Sequence, residues 1–117
     1  MYNPPNTFNS LPLTVEEVMQ CFRVRWNVSY DMKLLVRDKI LYLQIMWGYL
    51  EQQSFPMQED EYKNHLNAIL EIINRIGKSQ LVREFLMTTP QKPRLGRAIT
   101  LKINADERLE EFVLGID

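Results

Sequence analysis

The sequence predicts an α+β fold: a three-stranded antiparallel sheet, made of a hairpin over about 31–47 and a strand over about 97–103, with three to four helices packed mainly on one face. Three observations predict it. Apolar residues recur at helical spacing behind helix-start signals. Side chains alternate with period two before Asp38 and again after Arg97. The run from Ile40 to Trp47 is apolar on both sides, which marks a central strand covered at least partly on both faces.

The elements follow in order. Residues 1–12, rich in Asn and Pro, are expected to be disordered or loosely draped, leaving 13–117 as a single domain. Thr14 and Glu17 have capping-box spacing, with Leu13 and Val18 placed for a hydrophobic staple. Val15, Val18, Met19 and Phe22 then form one face of a helix that should run to about Arg25. Met32, Leu34 and Val36 alternate with Asp31, Lys33 and Arg37, the pattern of a half-buried strand. Asp38-Lys39 supplies the reversal, and in the returning strand Leu41, Leu43, Ile45 and Trp47 point one way while Ile40, Tyr42, Gln44 and Met46 point the other. Gly48 permits a bulge or bend.

A long helix starts among Glu59, Asp60 and Glu61 and ends near Arg75 and Lys78, charges that suit its macrodipole. Tyr62, Leu66, Ile69, Leu70, Ile73 and Ile76 form its stripe, and Gly77 fits the left-handed position that ends it. "SQLVREFLM" reads as a short helix with Ser79 at the N-cap, a strand being the alternative. Ile99, Leu101 and Ile103 alternate with polar or small residues as a third strand, expected to pair with the central one. Asn104 and Glu107 resemble a further cap, opening a short helix that bears Leu109, Phe112 and Val113.

Chemistry is narrowly bounded by composition. A chain of 117 residues is one domain's worth and can bury a core unaided. The single cysteine, Cys21, excludes an internal disulfide and fits a reducing compartment. No apolar run reaches the ~20 residues of a membrane-spanning helix, and the N-terminus lacks the pattern of a signal or transit peptide, so a cytoplasmic location is expected. His65 is the only histidine; it lies inside the long helix, one turn from Glu61 as a hydrogen-bonding neighbour. Its pairing with Cys21 as a catalytic dyad is the low-ranked enzymatic alternative. Two Cys or His residues in total fall short of a structural zinc site. The scattered glycines form neither a Walker-type loop nor a dinucleotide fingerprint. No cofactor, metal or small-molecule substrate is expected, and enzymatic activity is argued against.

Surfaces remain. From Arg75 to Lys102 seven cations (Arg75, Lys78, Arg83, Lys92, Arg94, Arg97, Lys102) meet one anion, Glu84, in a chain of net charge −1. The loop "PQKPRLGR" concentrates Lys92, Arg94 and Arg97, whose guanidinium forks suit phosphate or carboxylate. The ordinary alternative is that Gly96 supplies a positive φ and the cations keep a strand edge soluble. Trp26, Tyr30, Tyr42, Trp47, Tyr49 and Phe55 are first of all core and sheet packing, or else a stacking platform for single-stranded nucleic acid. With helices on one face, Leu35, Ile40, Tyr42 and Met46 would share the other as an apolar patch of the kind that marks a protein interface.

Together, "SYDMKL", "LQIMWGYLEQQSFP", "EYKNHL" and "KPRLGRAITL" resemble a small family found in cyanobacteria and chloroplasts and known as domain of unknown function 3067. The likeness runs from about Trp26 to Leu114. It implies an oxygenic photosynthetic source and a cytoplasmic or, in plastids, stromal setting; it brings no catalytic residue, cofactor or substrate. The expectation is a non-enzymatic protein-interaction module, an assembly or regulatory accessory, with Lys92, Arg94, Arg97, Lys102, Leu35, Tyr42 and Met46 as partner-binding residues. The alternative is a single-stranded RNA-binding protein using the basic 92–102 segment and the sheet aromatics.

Overall fold

The computed structural model of the protein describes residues 11–103. The expected helix beyond Asn104, and all but the last two residues of the expected loose N-terminal segment, lie outside the described residues. Helix α1 spans Val15–Trp26, strands β1 and β2 span Tyr30–Arg37 and Ile40–Tyr49, helices α2 and α3 span Glu59–Arg75 and Ser79–Thr88, and β3 spans Ile99–Ile103. The strands form one antiparallel sheet in the order β1-β2-β3, the α+β architecture with the apolar strand at its centre.

Pairing explains the alternation of apolar and polar residues. Met32 opposes Ile45, Leu34 opposes Leu43, and Val36 opposes Leu41, while Leu43 opposes Leu101 on the other side. Antiparallel partners share a face, so these residues turn toward the helices. Met32, Leu41, Leu43 and Ile45 are fully sealed there with Phe22, Leu66, Ile73 and Val82. Val36, on the same face but at the hairpin end, remains exposed. Truncating a residue such as Leu43 would cost about 2–5 kcal/mol through lost burial and the cavity left behind. The reversal is a two-residue turn in which Asp38 and Lys39 both take positive φ, 54° and 65°. That is the geometry whose twist matches a hairpin, here reached without the favoured Asn-Gly pair.

Helix ends follow the chain's local chemistry with two departures. Thr14 Oγ1 accepts from the Glu17 amide at 3.1 Å, but the Glu17 carboxylate turns instead to Arg83. Only half the expected capping box therefore forms. At the other departure, Lys78 rather than Ser79 occupies the N-cap of α3, and Ser79 is buried as the first helical residue. The close of α2 is as expected: Gly77 has φ 73°, its amide reaches the Asn74 carbonyl, and the Lys78 amide reaches that of Ile73. This doubled bond is the Schellman arrangement, which needs a left-handed residue at that place.

Helix α2 also guards an edge of the sheet. The Tyr62 hydroxyl donates to the Tyr30 carbonyl at 2.6 Å, and His65 Nε2 donates to that of Met32 at 2.7 Å. An open strand edge is a template for unwanted pairing, and these bonds occupy part of it. His65 therefore serves β1, with Asp31 Oδ1 at 3.2 Å, rather than Glu61. Burial pushes the Asp31 carboxyl up, and the neighbouring His65 pulls it back part of the way.

A register break interrupts the β1–β2 ladder at its open end. Asp31 opposes Met46, yet Tyr30 opposes Tyr49. Trp47 and Gly48 are thus the extra residues of a bulge, and bulges re-aim side chains at sheet rims. Trp47, expected to continue the core face after Ile45, instead joins an aromatic wall at this end of the sheet.

Candidate functional site

The loop between Thr88 and Ile99 is anchored at its start. Arg25, in the last turn of α1, donates to the carbonyls of Leu86 at 2.8 Å and Thr89 at 2.6 Å. The end of α3 and the first loop residue are held by one guanidinium. Pro93 is buried, pinning the loop's middle against the body. Beyond it, the Arg94 amide donates to the Arg97 carbonyl at 3.0 Å and the Arg97 amide to the Arg94 carbonyl at 2.8 Å. Leu95-Gly96 is therefore a two-residue turn, and Gly96 takes φ 74°, a sign that favours glycine. The strand expected over about 97–103 takes its exact start from this turn. Arg97 belongs to this tight hairpin, and β3 begins at Ile99.

Residues directly opposite in an antiparallel pair project side by side, and like charges so placed repel. Arg94 and Arg97 are both exposed, and among the described residues neither their guanidinium groups nor the Lys92 ammonium makes a hydrogen bond or ion pair. Leu95, between the arginines, is 77% exposed.

Two clefts meet at this tip. One, of about 450 Å³, is lined by Trp26, Tyr30, Trp47 and Tyr49 on the body and by Lys92, Pro93, Arg94 and Leu95 on the loop. The other, of about 600 Å³, lies among Gln91, Lys92, Arg94, Arg97, Ala98 and Thr100. Lys92 and Arg94 line both. In the first, Trp26 meets Tyr30 edge-on at 5.7 Å, Tyr30 meets Tyr49 at 6.0 Å, and Tyr49 meets Trp47 at 5.9 Å. The Arg25 guanidinium sits 5.0 Å over the Trp26 ring, so the residue that anchors the loop also braces the wall.

The sequence-expected residues fall into two groups. Lys92, Arg94 and Arg97 gather at the tip. Lys102 opposes Tyr42, which opposes Leu35, on the far face of the sheet toward the β1–β2 turn; Met46 opposes Asp31 nearer the bulge. Leu35, Ile40, Tyr42 and Met46 are half-buried rather than fully exposed, flanked by exposed Lys33, Thr100 and Lys102. The expected aromatic cluster likewise divides: Tyr42 is on that sheet face, Phe55 stacks edge-on against Tyr62 at 5.9 Å, and the other four line the cleft.

The seven cations do not form one patch either. Arg83 is engaged by both Glu17 oxygens and by the carbonyls of Leu11 and Pro12, where it ties α3 to the start of α1. Cys21 donates from Sγ to the Leu86 carbonyl at 3.4 Å, and burial pushes its thiol up; His65 contacts β1, away from that carbonyl. Among the described residues no group of three or more His, Cys, Asp or Glu side chains could hold a metal ion, and no helix is long and apolar enough to cross a membrane.

Sequence reasoning missed Arg25 and Pro93 as the loop's anchors. An arginine in a helix's last turn reads as a macrodipole partner, and its real acceptors are 61 and 64 residues away.

Comparison with known proteins agrees with this architecture. No curated protein matches the chain. Among solved structures, the solution structure of the Alr2454 protein from Nostoc sp. strain PCC 7120 superposes with a TM-score of 0.76 at 36% identity, covering 86% of this chain and 97% of that one. The family model described as domain of unknown function (DUF3067) matches residues 16–113, from the first turn of α1 past the end of β3, and the chain belongs to that family.

Proposed function

We propose that the protein is a non-enzymatic protein-interaction module, an assembly or regulatory accessory of a photosynthetic cell, that docks its partner on the 89–98 loop and the cleft beside it. One observation carries the reading. Arg94 and Arg97 stand opposite one another at a tight turn, exposed and without a described counter-charge, and Arg94 also lines the ring-bearing cleft next to the one the two arginines share. Such an arrangement costs free energy in the isolated chain and gains it when a partner supplies negative charge. The half-buried face bearing Leu35, Tyr42 and Met46, beside Lys102, is a secondary surface for apolar burial. The similarity to a Nostoc protein supports the photosynthetic setting, with a cytoplasmic location and a stromal one for plastid relatives.

A protein partner is favoured over RNA. The cleft's rings meet one another edge-to-face, and Tyr30 is only 3% exposed, so few ring faces are open for bases to stack on. The chain's net charge of −1 adds no long-range attraction for a polyanion. Two measurements test the reading together. Affinity capture from a cyanobacterial lysate should recover a partner with wild type that Arg94→Ala plus Arg97→Ala does not recover; identical capture by both proteins would refute it. Single-stranded RNA should bind weakly at low salt and without loop dependence. Tight RNA binding that falls steeply with salt, with a slope reduced by the double substitution, would replace the reading with the nucleic-acid one.

A further inference from the structure

We infer that the partner segment is an acidic peptide in which an Asp or Glu carboxylate lies next to a bulky apolar side chain: the apolar group enters the Trp26–Trp47–Tyr49 cleft while the carboxylate reaches the arginine pair. This rests on the protein-docking reading and specifies its ligand.

The geometry sets the chemistry. The aromatic cleft and the cationic cleft are separate lobes, yet both are walled by Lys92 and Arg94. A ligand filling both must carry its apolar and anionic groups on either side of one loop edge. Since each extended residue advances ~3.3–3.6 Å, clefts that share a wall call for the two groups close together along the peptide.

Each lobe selects its half. Trp26, Trp47 and Tyr49 are half-buried and present ring edges, with buried Tyr30 and Pro93 completing the wall, and about 450 Å³ accommodates a large side chain and its neighbours. Arg94 and Arg97, opposed across the Leu95-Gly96 turn, offer two planar forks at one place. Planar bidentate donors favour carboxylate over a dispersed or neutral acceptor. Lys92 contributes a third positive charge at the divide and, like the arginines, has no carboxylate partner among the described residues. Leu95, 77% exposed, lines the rim of the same cleft and adds apolar surface there.

The test is selection from a random peptide display library on the full-length protein. Enriched peptides should carry Asp or Glu close in sequence to Phe, Trp, Leu or Met. A representative selected peptide should lose roughly tenfold or more in affinity on Arg94→Ala plus Arg97→Ala, the scale of losing a charged hydrogen bond. Leu95→Asp, a change at an exposed position that leaves the core intact, should weaken binding similarly by placing a negative charge in the cleft mouth. Both tryptophans of the chain line this cleft, so the peptide should also change intrinsic fluorescence. If selected peptides need Trp47 and Leu95 but carry no acid, protein docking stands and this inference falls. Affinity unchanged in the double arginine variant overturns it as well. If no peptide is enriched while oligo(U) binds in a salt-dependent manner, the inference and the reading beneath it both fall.

Discussion

Arg25 and Arg83 are chemically identical to Arg94 and Arg97, yet the two pairs have opposite situations. Arg25 and Arg83 donate to backbone carbonyls at the seams between α1, α3 and the start of the chain, and Arg83 also grips Glu17. Arg94 and Arg97 hold nothing among the described residues, and their own hairpin sets them beside each other. A satisfied charge at a seam reads as architecture. An unsatisfied pair that its own backbone turn sets side by side contributes nothing comparable to the architecture, and on the proposed reading it meets a partner instead.

Four variants probe that contrast. Arg25→Ala should have the largest effect, about 2 kcal/mol of stability, because two part-buried carbonyls lose a charged donor. Thermal unfolding would then shift down by roughly 10 °C in a domain of this size. A shift near zero would mean that the loop does not depend on α1. Arg83→Ala should cost about 1 kcal/mol, less because its partner Glu17 is 40% exposed and water screens the pair.

Glu51→Gln tests a third committed charge, one whose carboxylate accepts from the Ser29 amide at 2.8 Å and hydroxyl at 2.9 Å. Burial raises the Glu51 carboxyl, but the hydrogen bonds from Ser29, with help from Arg23, outweigh it and leave the group below its ordinary value. A depressed folded value stabilises the protein above the unfolded carboxyl range, and that contribution disappears as pH falls through the folded value. The variant should therefore be less stable than wild type by about 1 kcal/mol near neutral pH. Denaturant titrations should show that gap closing below the ordinary Glu range, about pH 4; a gap that widens on acidification contradicts the assignment. The smallest effect belongs to Arg94→Ala plus Arg97→Ala, which should leave stability within about 0.5 kcal/mol of wild type or raise it slightly, since a repulsion is removed. Losing more than that would show the tip to be structural after all.

The contrast also explains how much was legible in the chain. Periodicity disclosed every described strand and helix, because burial on one side of a sheet or helix imposes its own repeat: Val15, Val18, Met19 and Phe22 are all buried, as are Leu41, Leu43 and Ile45. The backbone of Gly77 and the Lys92–Arg97 concentration were readable for the same local reasons. What depends on chain-distant partners was not. Glu17 leaves its local cap for Arg83, 66 residues away, and His65 turns to Met32 rather than to its helical neighbour Glu61. The two-residue bulge at Trp47 shifted a ring from the expected core into the cleft, and period-two counting passes over such an insertion. The rings of Trp26, Tyr30, Trp47 and Tyr49 were legible as a cluster in the sequence, but not their separation from Tyr42, which the pairing places on the other face of the sheet.

Whether the arginine tip and the ring-lined cleft act as one site can be read from quenching of tryptophan fluorescence by iodide and by caesium. Unneutralised cations beside Trp26 and Trp47 should concentrate iodide locally and repel caesium, an asymmetry that added salt should screen. The asymmetry should shrink in the Arg94→Ala plus Arg97→Ala protein, with unfolding unchanged. Equal quenching by both ions in the wild type, or an asymmetry untouched by the substitutions, would mean that tip and cleft are separate features.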